Sequence, residues 1–523
     1  MPSDRKPEIF RYADFNIRAA CRVASSLRSN ITCTCDPTQH PASGSFNWAV
    51  FLTFEDGVQW ILRSPHTGYA AMSMELSSKL LESEAATLKY VKLNSDIPVP
   101  VVHLYSSTPQ NEIGIPFILM SKASGWPLEK AWKQPGFGKP ELAAHLKAKV
   151  LHQLGAMSYK LSHLRFNQIG SLFEQDGIFR VEQSLSRGHI LHDRHSLEDV
   201  PRGPFASEEQ FFDSLIAALY QHAEVLPLSH HCFVAPIPGR GDYESTDQYQ
   251  RACDLWNDFI AVGNKVDSSD NRVDYIVAAN SLHDLISTWR SRLPQADPQT
   301  FPLCHADLSV NNIYVDDDYN ITCIIDWAFS STVPEAMMLT PPGLPQSRNE
   351  LDEPLVVAFM SGFNAAVCAG TRPEWRGVGD QPTMEILHQS RCSWVLTRLL
   401  NFDSINDYGL FAAAWEHTYD HEREMKSYFT KQRSSPYYVQ LYKEIQADDE
   451  PLEKTQKTER DYFRGRIFQS TIARKLTLVS QWKYQYTQFR QQGFRNEGEL
   501  FVTDPKLWKW ILEFIKQWEI MLC

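Results

Sequence analysis

The run His305-Ala306-Asp307-Leu308-Ser309-Val310-Asn311-Asn312 decides how this chain is read. It has the form H-x-D-x-x-x-x-N and continues into an apolar triplet, Ile313-Tyr314-Val315. The acidic stretch Asp316-Asp317-Asp318 follows. A second apolar run, Ile321-Thr322-Cys323-Ile324-Ile325, then leads straight into Asp326. Two short apolar, β-rich runs around a polar turn predict a hairpin. A hairpin brings its ends to one place, so Asp307, Asn312 and Asp326 are expected to meet. Nineteen residues separate the two aspartates, enough for two short strands and a turn.

Upstream, Asp14 to Leu27 predicts a leading helix, with Asp14 as its cap and Ile17, Ala20, Cys21 and Val23 on its apolar side. Trp48 to Phe54 and Val58 to Leu62 predict two strands, joined by Glu55-Asp56-Gly57, a hairpin signal. The helical pattern of Met74 to Leu93 ends before Pro98 and Pro100. Val101 to Tyr105 and Pro116 to Met120 predict two more strands. Ser121 to Pro127 resembles a connector, and Ala143 to Leu164 a strong amphipathic helix. The pattern turns irregular after Gly170, and Gly188 to Pro204, rich in His, Asp, Arg and Pro, predicts a surface loop. Glu208–Leu226, Gln248–Val262 and Asp274–Leu293 are helical candidates, as are 384–401, 407–429, 459–492 and 505–522 after the hairpin.

A small mixed sheet followed by a large helical part is α+β, not a doubly wound sheet. The expected parts are an N-terminal helical extension (1–37), a nucleotide-binding sheet lobe (38–122), and a larger lobe (123–345). That larger lobe carries an insertion near 175–275 and a catalytic loop at 303–326. A C-terminal helical part (346–523) completes the chain.

At 523 residues, 43% hydrophobic and 12% aromatic, the chain has enough apolar material for two or three lobes. A formal charge of −12 argues against a general nucleic-acid surface, and no run of 18 apolar residues predicts a membrane span. Met1-Pro2-Ser3-Asp4-Arg5-Lys6 is not followed by the apolar core of a signal peptide. Ten cysteines in a chain this long do not form a disulfide framework. Cys33 and Cys35, the only close pair, lack a second pair at zinc spacing. A reducing, cytoplasmic location is the expectation from these features.

Phosphoryl transfer from ATP requires an oriented hydroxyl relieved of its proton, magnesium bridging the phosphates, and positive charge steadying them. Asp307 suits the first role. Asn312 and Asp326 offer hard oxygen ligands, which suits magnesium. H-x-D-x-x-x-x-N alone arises by chance in many proteins. The conjunction of apolar entry, apolar hairpin and terminal Asp makes it specific. His305 reads as a loop support rather than a proton carrier.

With these residues in place the chain resembles the aminoglycoside phosphotransferase and choline kinase family, within the protein-kinase-like fold, and in particular its large fungal branch. The carrying stretches are Trp60-Ile61-Leu62-Arg63, Ser83-Glu84-Ala85-Ala86-Thr87, Ile97-Pro98-Val99-Pro100, Pro116-Phe117-Ile118-Leu119-Met120, Gly170-Ser171-Leu172 and the 305–326 block with Trp327. They span roughly residues 40–335 in order. The resemblance implies a two-lobed fold, a small N-terminal sheet lobe with one helix and a large, mainly helical C-terminal lobe. It implies Arg63 on a third strand holding ATP phosphates, with Glu84 as its helix partner. Ser43, Gly44, Ser45 and Asn47 take the place of the phosphate-covering loop, and Met120 to Lys122 that of the hinge meeting adenine. The implied reaction is ATP- and magnesium-dependent phosphorylation of a small-molecule hydroxyl.

Arginine stands at 63 where lysine is common, and the two are not equivalent. No G-x-G-x-x-G covers the phosphates. Ala306 replaces the arginine of the protein-kinase H-R-D, and Trp327 follows Asp326 in place of Phe-Gly. These departures favour a small-molecule acceptor over a protein. A net acidic lining would suit a cationic acceptor such as an amine or aminoglycoside. Two rivals stay open: an inactive nucleotide-binding scaffold, and a protein kinase. Glu416, His417 and His421 have helix spacing but the wrong order for a zinc site, and read as a solvated face. His192, His195, His230 and His231 read as loop residues.

Overall fold

The computed structural model describes residues 7–66, 72–132, 142–228, 245–246, 269–294, 300–347, 349–369, 380–402, 407–419 and 423–447. The helices expected over 248–262, 459–492 and 505–522, with His230, His231 and His421, lie outside these residues. The chain divides into two compact units. One comprises Met1–Trp132, Leu142–Ser214 and Pro294–Ser390; the other comprises Lys133–Glu141, Leu215–Leu293 and Arg391–Cys523. The described architecture is mixed: antiparallel sheets and many helices, as the α+β class requires.

The first unit is built on an antiparallel sheet of β1 (Cys33–Thr34), β2 (Ala42–Ser43), β3 (Asn47–Phe54), β4 (Gln59–Pro65), β5 (Val102–Ser106) and β6 (Phe117–Ser121). Its order is β1-β3-β4-β6-β5, with β2 paired to β3. Strict alternation explains what each face does, because successive side chains of a strand point to opposite faces. Trp48, Val50, Leu52 and Phe54 of β3, with Trp60 and Leu62 of β4, are buried together with Phe15, Ala20 and Ala24 from the segment around α1 (Ile17–Leu27). The alternate residues Ala49, Phe51, Ile61 and Arg63 line a cavity on the other face. Ala49 pairs Arg63 and Phe51 pairs Ile61 across the ladder.

Helix α1 starts two residues later than its sequence suggests. Asn16, not Asp14, is its cap, and Asn16 Oδ1 accepts the Ala19 N–H at 3.1 Å. Asp and Asn are equally good caps, so only the turn of the chain decides between them. The second helix, α2 (Met74–Asn94), is capped by Ser73 and buries Leu81, Glu84, Ala85, Leu88 and Val91.

After β7 (Trp126–Pro127) comes α3 (Ala144–Ser162), then β8 (Arg165–Phe166). The chain expected to be irregular after Gly170 forms a hairpin of β9 (Ser171–Gln175) and β10 (Ile178–Glu182), turned by Asp176 and Gly177, both at positive φ. The short α4 (Arg187–Ile190) and α5 (Glu208–Val225) follow. Later, β11 (Phe301–Cys304) pairs with both β8 and β14 (Ser331–Thr332), while β12 (Ile313–Val315) pairs with β7 and with β13 (Ile321–Ile324). Helix α3 lies close along the helix Glu353–Ala369. Gly155 and Gly362 permit that approach, since a Cβ on either would strike the facing helix backbone at Phe359 or His152.

In the second unit the helix Ser269–Ser291 is joined to its neighbours by polar contacts. Arg433 reaches both oxygens of Asp274 at 3.0 and 3.1 Å, and the Asn280 amide donates to the Tyr438 hydroxyl at 2.8 Å.

The segment Gly188–Pro204 departs most from its sequence reading. It is a surface loop only in part: His192, Asp193, Ser196, Glu198 and Asp199 are exposed, but Gly188, His189, Ile190 and Arg194 are buried. His189 is completely enclosed, with Nδ1 in hydrogen-bond contact with the hydroxyls of Ser184 (3.1 Å) and Ser186 (2.8 Å) and Nε2 with that of Ser214 (2.9 Å). Arg202 donates to the His189 carbonyl at 2.5 Å, and Arg194 to the Gly188 carbonyl at 3.0 Å. Burial, reinforced by the charges of Arg202 and Arg194, pushes the His189 pKa down to about 3.

That depression fixes a pH dependence. Above pH 6.5 His189 is neutral in both folded and unfolded chains and costs nothing. As pH falls from 6.5 toward 3, the unfolded chain gains a proton that the folded chain refuses, so stability is lost. The loss approaches about 1.4 kcal/mol per pH unit. Chemical denaturation between pH 5.5 and 4.5 should show a slope shallower by about that amount in His189→Gln than in the wild type. Parallel slopes would contradict the buried neutral imidazole.

Candidate functional site

The turn of the β12–β13 hairpin is fixed by its own side chains. Asp316 accepts the N–H groups of Asp318 (3.0 Å) and Asn320 (2.8 Å) and the Asn320 amide at 2.9 Å. Hydrogen bonds from Asn320 hold the Asp316 carboxyl below the usual range. The pairs Ile313–Ile324 and Tyr314–Cys323 then bring the two hairpin ends together. The Ile324 N–H docks on the Pro98 carbonyl at 2.8 Å, beside the N-terminal sheet.

His305 supports the loop, as its sequence position suggests. Its Nδ1 accepts the Asp307 N–H at 3.1 Å, which makes Nε2 the protonated nitrogen, and Nε2 donates to the Ile325 carbonyl at 3.0 Å. The ring sits edge-on to Trp327 at 4.7 Å. Burial lowers its pKa, against the pull of the Ile325 carbonyl and of Asp307 and Asp326, so the neutral ring ties the start of the loop to the end of the hairpin.

Asn312 is held from both sides. Its Nδ2 donates to the Asp307 carbonyl at 2.9 Å, and its own carbonyl accepts the Ile325 N–H at 3.0 Å. With Nδ2 so used, Oδ1 is the atom of this amide suited to a cation. Asp326 follows Ile325 directly and adopts φ +64°, a left-handed conformation that Asp tolerates better than most residues. A strained backbone that aims one carboxylate is a recurrent feature of functional sites.

Arg63 joins the sheet to the hairpin. It lies on β4, one strand later than the resemblance implies, because the two-residue β1 and β2 precede the long strands. Its Nη1 binds Glu84 of α2, and its Nη2 donates to Asp326 Oδ1 at 2.5 Å. Burial disfavours the guanidinium charge, but the two carboxylates outweigh it and raise the Arg63 pKa. Burial raises that of Glu84, against the pull of Arg63. The Glu84 apposition follows the sequence reading; the clasp on Asp326 has no counterpart in it.

These groups line one cavity of about 510 Å³ within the first unit. Every site position nominated from the sequence lines it: Asp307, Asn312 and Asp326, Arg63 and Glu84, the β2–β3 turn residues Ser43, Gly44, Ser45 and Asn47, and Met120 and Lys122 at the end of β6. Leu88, Ala123 and Ile325 add apolar wall. In the β2–β3 turn the Gly44 N–H donates to the Asn47 carbonyl at 2.9 Å, and Phe46 meets Phe329 edge-on at 5.3 Å. Lys122 Nζ donates to Gln59 Oε1 at 2.7 Å. The oxygens of Asn312 and Asp326 fit magnesium, which is commonly held by one or two carboxylates together with substrate phosphates.

One charged residue among those lining the cavity was not foreseen. Arg187, the first residue of α4, places Nη1 3.7 Å from Asp307 Oδ1. It belongs to the segment read as an insertion, and no local pattern marks it. His192 and His195 are not among the cavity's lining residues. Burial pushes the Cys33 and Cys35 thiols up to about 12. Among the described residues no helix is long and apolar enough to cross a membrane.

No family model matches the chain. It is 29% identical over 141 residues to "Altered inheritance of mitochondria protein 9, mitochondrial" of Debaryomyces hansenii, covering 27% of this chain and 22% of that protein. The protein of the same name in Clavispora lusitaniae is 25% identical over 233 residues, 41% of this chain and 38% of the relative. A "subtelomeric hrmA-associated cluster protein" of Aspergillus fumigatus is 27% identical over 173 residues, 31% and 32% respectively. The chain thus spans only 22–38% of the length of these curated relatives. Two of the three names are mitochondrial, and they overturn the cytoplasmic expectation. The features behind that expectation, the want of a long apolar run and of paired cysteines in the sequence, do not distinguish one compartment from another.

Solved structures similar to this chain include kinases and phosphotransferases of small molecules. An ethanolamine kinase of Plasmodium vivax has 12% identity and TM-score 0.36, over 80% of this chain and 85% of its own. A macrolide 2′-phosphotransferase of Brachybacterium faecium has 13% and 0.31, over 78% and 99%. A spectinomycin phosphotransferase solved with ADP and spectinomycin has 13% and 0.30, over 82% and 97%. Likenesses at this level assign no activity to the chain.

Proposed function

We propose that this chain is an ATP- and magnesium-dependent phosphotransferase acting on a hydroxyl of a small molecule, on a two-lobed kinase-like fold of the aminoglycoside phosphotransferase and choline kinase type. The observation that carries this reading is the meeting of Asp307, Asn312 and Asp326 with the buried Arg63–Glu84 pair around one cavity. A mitochondrial location accompanies the proposal, on the names of the relatives.

Asp307 orients the acceptor hydroxyl and takes its proton as that oxygen bonds to the γ-phosphorus and the bond to the leaving ADP oxygen breaks. Asn312 Oδ1 and the Asp326 carboxylate would hold the metal. When bound, magnesium supplies charge neutralisation across the phosphates. Arg63, aimed by Glu84, steadies the donor phosphates. The β2–β3 turn covers them, and Met120 to Lys122 border the adenine.

The Arg63–Asp326 contact at 2.5 Å favours one rival, the nucleotide-binding scaffold, because the cation occupies a carboxylate that magnesium needs. Isothermal titration of ATP with and without Mg²⁺ separates metal use from its absence. Mg²⁺ should tighten ATP binding in the wild type, and Asp326→Asn should weaken the metal's contribution about tenfold or more. ATP affinity that ignores Mg²⁺ in the wild type would remove the assigned metal site. Tight binding without transfer to a broad acceptor set would establish the scaffold, and label on proteins but on no metabolite the protein kinase.

A further inference from the structure

We propose that this chain pairs with a second copy of itself along β10, antiparallel and edge to edge, about a two-fold axis at Val181.

The hairpin of β9 and β10 is a sheet of two strands, so β10 has β9 on one side and no described strand on the other. Asp176 and Gly177, both at positive φ, make the two-residue turn that closes on Gln175 and Ile178 as a hydrogen-bonded pair. Alternation from that pair sends the N–H and C=O of Arg180 toward β9, and those of Phe179 and Val181 outward. Among the described residues nothing bonds to these outward groups. Edges of this kind are commonly blunted by Pro, Lys or a bulge. The strand Ile178-Phe179-Arg180-Val181-Glu182 has neither residue, and its register with β9 is unbroken. A groove of about 610 Å³, lined by Ile178, Arg180 and Glu182 together with Lys79 and Glu82 of α2, leaves room beside it for another strand.

The exposed side chains decide the occupant. Ile178, Arg180 and Glu182 share the solvent-facing side of the strand, and Ile178 is 54% exposed. Among the described residues neither Arg180 nor Glu182 forms an ion pair. An edge carrying one sign of charge repels its own copy, but Arg and Glu two residues apart are self-complementary in the right register. With the axis at Val181, the outward N–H and C=O of Val181 are exchanged with those of the second copy's Val181. Arg180 then lies opposite the second copy's Glu182, and Glu182 opposite its Arg180. These are non-hydrogen-bonded positions, where Cα atoms approach to about 4.5 Å and side chains meet closely. A slip that centres the axis on Arg180 sets the two arginines against each other, so charge selects the register. The hairpin is already anchored, which keeps the ordering cost of pairing small: Lys89 of α2 donates to Glu174 at 2.6 Å, and Tyr90 meets Phe179 edge-on at 5.2 Å.

Sedimentation velocity of the whole chain over a concentration series tests this, with hydrogen exchange across 178–182 read at both ends of the series. The wild type should pass from monomer to dimer, and the amides of Phe179 and Val181 should gain protection as it does. Arg180→Glu and Glu182→Arg each turn both cross-copy pairs into like charges, and each should weaken self-association about tenfold or more. Mixed in equal amounts, the two variants should form a heterodimer of wild-type strength, because every pair across the axis is again Glu opposite Arg. Arg180→Gln and Glu182→Gln keep the readout if a reversal folds poorly; they remove the attraction without adding repulsion and should weaken the dimer by less. A wild type that stays monomeric, a dimer that the reversals leave intact, exchange that ignores concentration, or a mixture that fails to recover the dimer overturns the proposal. No residue of β10 lines the cavity of Asp307, so the outcome is independent of the phosphotransferase reading.

Discussion

Replacing Asp307 with Asn lowers kcat about 10²–10⁴-fold and leaves the affinity for Mg²⁺-ATP nearly unchanged; this is the expected result of removing a positioned base. The substitution keeps the size of the side chain and leaves the Asp307 N–H free to donate to His305, so the loop retains its shape. It also leaves the Asn312 amide on the Asp307 carbonyl. What it removes is, among the described lining residues, the carboxylate that Arg63 does not hold. Steady-state kinetics on the labelled product would read the effect in kcat, while titration with ATP reads the unchanged donor site. Turnover within about twofold of the wild type would take the base role away from Asp307.

Glu84→Ala should cost about 3–5 kcal/mol of stability, because it breaks one side of a buried pair and leaves a guanidinium in a site built for two carboxylates. Glu84 is 5% exposed and Arg63 13%, so water replaces the lost partner poorly. The second consequence is chemical. With Glu84 gone, Arg63 is left to Asp326 alone and competes with magnesium for it. The apparent Mg²⁺ requirement for ATP binding should therefore rise together with the loss in stability. Glu84→Gln keeps an acceptor oxygen for Nη1 and should cost less. Denaturant unfolding of the three proteins checks the order. A Glu84→Ala cost below about 1 kcal/mol, the size of an exposed pair, would show that Arg63 is aimed by something else.

The fold was legible where side-chain period and burial agree. The runs Trp48–Phe54 and Val58–Leu62 gave the two long strands, while their core face and the cavity face that carries Arg63 emerge only in the folded chain. The β12–β13 hairpin could be read because its turn and apolar runs are local. The tertiary contacts were not legible. Arg63 and Asp326 are 263 residues apart in sequence, and nothing near either one announces the clasp. Arg187 was lost for a related reason. Its segment is rich in charged and polar residues, which by composition read as solvated. In the folded chain His189, Arg194 and Arg202 satisfy one another's backbone and the serine hydroxyls instead. A buried polar network and an exposed loop share the same composition; only the partners, several of them distant in sequence, tell them apart.

The central claim is transfer of a phosphoryl group to a small molecule, and one measurement tests it most directly. The chain is incubated with γ-labelled ATP, Mg²⁺ and a metabolite extract, and the products are separated from protein and nucleotide. Wild type should yield a labelled metabolite, and Asp307→Asn tested beside it should yield almost none. Label that stays on ATP in both, or a metabolite labelled equally by both, would contradict the assignment.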